Sequence, residues 1–275
     1  AVAGVVLARS VLPARPRRRR PTTRWRRIRF AVAVIGAVVW VAVVAWLRPF
    51  PAVEPALAAM ASDDVVAVEQ SSTRIVLTPA DGPTGPAVLF HPGARVDPRA
   101  YAAVLRPLAE AGTRVVVVKQ PLGIAFLATG SLGSARAAFE DADGWVVAGH
   151  SLGGTVASML ADEQDERKVA PVVGLLLWAS YPATDLRESL TVAVLSVSGS
   201  QDGLATPAEI EASRAALPDG AEFVSVDGAS HASFGDYGPQ PGDGTPTIDA
   251  DDARAQIAEA SVAFVAGLTG SPDGA

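Results

Sequence analysis

From about residue 64 onward the chain alternates between short, wholly apolar runs and stretches with helical spacing, and few folds accept that pattern. "VVAVEQ" and "TRIVLTP" read as a first pair of strands. "AVLFH" (87–91), "RVVVVK" (114–119), "WVVA" (145–148), "VVGLLLWAS" (172–180), "TVAVLSVSG" (191–199) and "AEFVSV" (221–226) read as further strands. Helical patterns fall between them, over 97–112, 131–141, 152–164, 206–218 and 249–268. Asp97 caps the first of these, with Pro98 at its first position and Gly112 just past its end. A strand exposed on one face would alternate apolar with polar residues. Continuous apolar runs require cover on both faces, so the pattern predicts a mostly parallel central sheet with helices on both sides.

One strand-to-helix junction carries chemistry. "GWVVAGHSLGG" (144–154) ends an apolar strand and opens a helix, and Gly149-His150-Ser151-Leu152-Gly153 fits the pattern G-x-S-x-G. A serine on such a turn must adopt a strained backbone for its hydroxyl to stand clear of the sheet. Side chains two residues to either side would collide there, which is why glycines flank it. Gly154 adds room for the helix to pack on the strand.

In this stretch and in its sequel the chain resembles the α/β-hydrolase family, over roughly residues 65–268. "HPGARVDPRAY", "GHSLGG" and "HASFGDYGPQPGDG" together resemble a membrane-anchored bacterial group within it. The resemblance implies an α/β-hydrolase fold and a nucleophile, acid and base in the chain order Ser, Asp/Glu, His. Ser151 is then the nucleophile. The chain has only three histidines: His91 precedes the serine, His150 is committed to the turn, and His231 follows the last expected strand, where the family keeps its base. The acid belongs after strand 191–199, where "SGSQDGLATP" offers Asp202, with Asp185 in "YPATD" as the alternative. Its task is to fix the imidazole's tautomer and orientation. Leu152 supplies one oxyanion-hole N–H. The other comes from "HPGARVDP": Pro92 has no N–H, which leaves Ala94, with Gly93 second. The loop 228–248 is long for a compact fold. Its Asp236, Tyr237 and Asp243 are either rim or turn residues. Only about ten residues separate strands 172–180 and 191–199, too few for a cap domain. Within "QPLGIAFLATG" (120–130), Leu122, Ile124, Phe126 and Leu127 either line an acyl pocket or pack under the sheet edge.

The N-terminus has a different character. Residues 1–50 carry eleven arginines and no acidic residue, whereas the remaining residues hold 12 basic and all 29 acidic residues, a net charge of −17. A domain so acidic repels phosphate, which excludes nucleic acid as a partner. "FAVAVIGAVVWVAVVAWL" (30–47) is uncharged. Its length, about 27 Å as a helix, matches the hydrocarbon thickness of a bilayer. Ten arginines precede it and one, Arg48, follows it, a bias that places the N-terminal side in the cytoplasm and the rest outside. "ALA" (56–58) and "AMA" (59–61) would suit signal cleavage, but the run exceeds the roughly 7–15 residues of a signal core and favours an uncleaved anchor.

The expected organisation is therefore a basic cytoplasmic segment (1–29), a transmembrane helix (30–47), a linker (48–62), a hydrolase domain (63–268) and a tail (269–275). The chain lacks cysteine, so thiol chemistry and disulfides are excluded. No metal-ligand spacing is present, and no cofactor is expected. The resemblance implies hydrolysis of a small-molecule or lipid-like carboxylic ester through an acyl-enzyme. Acyl transfer and peptide or thioester cleavage use the same parts. A non-catalytic envelope protein reusing the fold is the contrasting expectation.

Overall fold

The computed structural model describes residues 23–164 and 169–269. The basic segment up to residue 22 and the tail beyond Thr269 lie outside the described residues. The chain divides into two compact units, Ala1–Trp46 and Leu47–Ala275.

In the first unit, α1 (Thr23–Trp46) is a single uninterrupted helix with no buried residue. It is long and apolar enough to cross a membrane. It starts seven residues before the expected span because arginine is a good helix former, so Arg24, Arg26, Arg27 and Arg29 extend the apolar run rather than end it.

The second unit is built on one eight-stranded sheet, in the order β1-β2-β4-β3-β5-β6-β7-β8. The strands are β1 (Val66–Gln70), β2 (Arg74–Pro79), β3 (Ala87–His91), β4 (Val115–Val118), β5 (Trp145–His150), β6 (Val172–Trp178), β7 (Ala193–Gly199) and β8 (Glu222–Val226). β1 and β2 form the expected antiparallel hairpin, and β2 runs antiparallel to β4. Every other pairing is parallel. Because six neighbouring strands run the same way, their C-terminal ends share one edge, where open α/β sheets place their sites.

Strand side chains alternate between the faces, and each face has its own apolar layer. Phe90, Val117, Val146, Leu176, Trp178 and Val197 point to one side, with α2 (Ala102–Glu110) and α6 (Ala250–Thr269) through Val104, Leu105, Leu108, Ile257 and Val265. Leu89, Val116, Trp145, Val147, Leu175 and Leu177 point to the other, with α3 (Ser131–Ala138) and α4 (Leu152–Gln164) through Leu132, Ala135, Val156 and Leu160. α5 (Pro207–Ser213) begins at a capping box, in which Thr206 and Glu209 bond each other's backbone N–H groups. The helix expected over 97–112 starts as a 3-10 turn, Pro98–Tyr101, with the Asp97 carboxylate accepting from the Arg99 N–H. Residues 179–192, between β6 and β7, form a short connection that buries Leu186 and Leu190 in the second layer, so no cap domain is inserted there.

Residues 48–62, the expected linker, are bonded to the domain and contain a 3-10 turn, Ala58–Met60. Phe50 N–H donates to the Arg95 carbonyl at 2.6 Å, Asp97 N–H donates to the Phe50 carbonyl at 3.0 Å, and Val53 N–H donates to the Asp236 carbonyl at 2.8 Å. Ala52 and Ala56 are buried. Arg106 on α2 then bonds the carbonyls of Ala59 and Ala61, at 3.0 Å each, and the Asp63 carboxylate. The apolar residues of this segment find a surface that no local pattern discloses.

Leu105 is wholly buried in the layer shared by α2, α6 and the sheet. Leu105→Ala should lower unfolding free energy by about 2–5 kcal/mol in urea titrations, the usual cost of a core cavity. A loss below about 1 kcal/mol would show that this layer is not the close-packed core described.

Candidate active site

Ser151 sits between the last residue of β5 and the first of α4, with φ at +53°. A left-handed backbone costs a non-glycine residue roughly 1–2 kcal/mol, so its surroundings must hold it there. Its N–H donates to the Trp178 carbonyl at 2.9 Å, and its carbonyl accepts from the Ser180 hydroxyl at 2.7 Å. The glycines have the reasons the motif requires. A Cβ on Gly149 would overlap the Gly153 backbone, one on Gly153 the carbonyl oxygens of His91 and Pro92, and one on Gly154 the Ser180 side chain. The helix therefore crosses β5 and the end of β3 at backbone contact.

Asp202 and His231 follow β7 and β8 at the same sheet edge. His231 Nδ1 lies 2.8 Å from Asp202 Oδ2, and both side chains are buried. The second Asp202 oxygen accepts from the N–H groups of Leu204 and Ala205, each at 2.8 Å. A carboxylate held from both sides keeps the imidazole proton on Nδ1 and leaves Nε2 as the basic nitrogen. His231 Nε2 has no hydrogen-bond partner among the described residues, so the bond to the Ser151 hydroxyl is not formed in this structure. The alternative acid, Asp185, is exposed and pairs with Arg187 at 2.7 Å.

His150 joins the parts. Its ring is fully buried, 4.5 Å from the His231 ring and stacked on Phe234 at 5.7 Å. Its Nδ1 lies 2.8 Å from the Tyr101 hydroxyl, which accepts in turn from the Gly93 N–H at 2.9 Å. Burial, then the neighbouring His231, holds the His150 pKa well below the usual histidine value. It stays neutral, and its ring packs against His231. The Gly93 N–H, one of the two oxyanion-donor candidates, is occupied by Tyr101. Ala94 follows it, partly exposed, and Leu152 opens α4, where a helix leaves its first N–H groups unbonded. No hydrogen bond from either N–H is present among the described residues.

Tyr101 escaped the sequence. Asp243, read there as a rim or turn residue, does more than either: its carboxylate accepts from the N–H groups of His231 at 3.0 Å, Ala232 at 2.8 Å, Gly203 at 3.2 Å and Gly244 at 2.7 Å. Burial raises its pKa, but the N–H groups of Ala232, Gly203 and His231 outweigh it and hold the carboxyl below its ordinary value. One side chain thus ties the loop of Asp202 to the loop of His231. The Asp-Gly spacing in "PGDG" marks a turn, and nothing local reports which distant amides it collects. Asp236 pairs with Arg254 at 2.7 Å, and Tyr237 is buried with its hydroxyl on Gln240 at 3.2 Å. Leu122, Phe126 and Leu127 are exposed, not packed under the sheet. His91 is buried, with Nε2 3.0 Å from the Ser131 hydroxyl, and it shapes its loop. No group of His, Cys, Asp or Glu able to hold a metal occurs among the described residues.

The profile of the alpha/beta hydrolase family matches residues 87–255. The chain belongs to the alpha/beta hydrolase family. No curated protein matches the sequence. Among solved structures, the chain is similar to TT1662 from Thermus thermophilus, with 17% identity, a TM-score of 0.54, and 75% of this chain and 99% of that one covered. It is also similar to Est1E from Butyrivibrio proteoclasticus, with 13% identity, a TM-score of 0.53, and 75% and 100% covered. Likeness at such low identity concerns the fold. Family membership supports a hydrolase.

Burial lowers the His91 pKa to about 4. In the unfolded chain His91 takes up its proton near pH 6.5, whereas in the folded hydrolase it does not until about pH 4. The unfolded state therefore binds more protons between those values, and stability falls as pH drops through them. His150 and Asp243 act in the same direction. The urea midpoint should fall steadily from pH 7 to pH 4.5, with His91 alone accounting for up to about 3 kcal/mol by pH 4. A midpoint flat from pH 7 to pH 5 would contradict buried, neutral histidines.

Proposed function

We propose that this alpha/beta hydrolase is a serine hydrolase that cleaves carboxylic esters through an acyl-enzyme. The buried bond from His231 to Asp202, at the sheet edge where Ser151 stands on its strained turn, carries the reading. Ser151 Oγ attacks the ester carbonyl carbon while His231 Nε2 takes its proton. The carbonyl oxygen becomes an oxyanion, held by the N–H groups of Leu152 and Ala94. Collapse of the tetrahedral intermediate expels the alcohol, which takes the proton back from Nε2. Water then repeats the sequence on the acyl-enzyme, releasing the acid and restoring Ser151. Asp202 steadies the imidazolium at each stage. Formation of the Nε2–Oγ hydrogen bond belongs to the substrate complex, where catalytic contacts tighten.

The reading includes an anchor: α1 crosses the membrane, its arginine-rich end inside, and the hydrolase unit acts outside on small or lipid-like esters. The small-residue sites at 56–58 and 59–61 support an uncleaved helix. They lie within the segment that packs on the domain, where Ala56 is wholly buried, and cleavage there would strip away Phe50 and Val53 with their hydrogen bonds.

The full chain in detergent should hydrolyse short p-nitrophenyl esters. Ser151→Ala should abolish turnover, His231→Ala should do nearly the same, and Asp202→Asn should lower kcat by roughly 10³–10⁴-fold. His150→Phe should cost far less than His231→Ala at equal folded fraction. A folded wild type with no turnover on any ester would favour a non-catalytic binding protein.

A further inference from the structure

Ala94 and His231 are carried by two different loops, and the same short segment is bonded to both. Phe50 N–H donates to the Arg95 carbonyl at 2.6 Å, and the Phe50 carbonyl accepts from Asp97 N–H at 3.0 Å, so Phe50 pairs with Val96 as an added β-bridge. The Phe50 ring lies 5.3 Å from the Arg95 guanidinium and 5.9 Å from the Tyr237 ring. Three residues on, Val53 N–H donates to the Asp236 carbonyl at 2.8 Å. Tyr237 lies 6.3 Å from the His150 ring, which packs on His231.

Arg95 explains why this matters. Its φ is +58°, and no glycine is present to make that inexpensive. Its N–H is held by the Gly123 carbonyl at 2.7 Å and its carbonyl by Phe50. On the other side of Ala94, Gly93 is held by Tyr101 at 2.9 Å. Across the pair, Val96 N–H donates to the Gly93 carbonyl at 3.2 Å. The Ala94 peptide is thus positioned by its neighbours, and residues 50–53 supply one of the four restraints. They also restrain the histidine loop, where the Asp236 carbonyl accepts from Val53 while the Asp236 N–H donates to the Ala100 carbonyl at 2.8 Å.

We propose that residues Phe50–Val53, the first stretch of the hydrolase unit, are a positioning element of the active site, with Phe50 as its central residue. Resting on the serine-hydrolase reading, this gives the segment after α1 a role in catalysis beyond tethering. Its loss lets Arg95 relax from the left-handed region, moves the Ala94 N–H off the developing oxyanion, and loosens the His231 loop. Substrate binding outside these loops is spared, so the effect falls on kcat more than on KM.

The test compares Phe50→Leu, Phe50→Ala and Phe50→Pro in the full chain in detergent, with kcat, KM, the rate of fluorophosphonate labelling and the melting temperature measured on each. Phe50→Leu keeps the backbone bonds and the apolar filling. Phe50→Ala removes the ring contacts, and Phe50→Pro also removes the N–H that holds Arg95. The expected result is a graded fall in kcat and labelling rate, within about threefold of wild type for Leu, near tenfold for Ala and larger for Pro, with KM changed less than threefold. A lowered melting temperature with kcat and labelling rate unchanged in Phe50→Ala and Phe50→Pro would overturn the proposal and leave the serine-hydrolase reading intact. A wild type inert to ester and probe would overturn both. If Phe50→Pro fails to fold, Phe50→Leu against Phe50→Ala decides: equal kcat values refute the positioning role.

Discussion

The site depends on a backbone crossing that leaves no room for a side chain. α4 leaves β5 so steeply that Gly153 meets the carbonyls of His91 and Pro92, and Gly149 meets Gly153. That closeness sets the turn at Ser151 in the left-handed region, and the Trp178 and Ser180 bonds keep it there. It also presses the end of β3 against the start of α4, which brings the Ala94 loop beside Leu152. The sheet supplies the rest. With β3, β5, β6, β7 and β8 parallel and adjacent, the loops holding Ala94, Ser151, Asp202 and His231 leave from one edge. His231, eighty positions from Ser151, reaches the same sheet edge through topology rather than sequence.

Around this crossing the polar groups form two connected sets. Asp202 and Asp243 each accept several N–H bonds, and between them they fix both the ring and the backbone of His231. Tyr101 links Gly93 to His150, and His150 carries packing to His231. Buried polar networks of this kind are costly when half-made and rigid when complete, so they hold a site to a fraction of an ångström. The hydrolase therefore separates two tasks. Backbone contact sets Ser151, and side-chain hydrogen bonds set His231 and the Gly93 loop.

Much of the fold was legible because the sheet is buried on both faces, which forces unbroken apolar runs that no amphipathic helix imitates. β3, β4, β5 and β6 announced themselves in this way, the hairpin did so by its spacing, and β7 and β8 carry serines, with β8 largely exposed. Ser151, Asp202 and His231 were legible because each lies immediately after a strand, where chain order is informative. Tyr101 was not, since a buried tyrosine in "DPRAY" looks like any core aromatic until Gly93 is found beside it. Asp243 was read as a rim or a turn residue, and nothing local showed that its bonds reach forty residues back to Gly203. Residues 48–62 were read as a linker. Their partners, Arg95, Asp97 and Asp236, lie far away in sequence, and single β-bridges leave no periodic trace.

The central claim is that Ser151 is a nucleophile activated by His231. The most direct measurement is peptide mapping by mass spectrometry of the full chain after reaction with a fluorophosphonate. The account predicts one adduct per chain, on Ser151, lost in His231→Ala while that variant remains folded. An adduct on a different residue, or no adduct on a folded wild type, would contradict it.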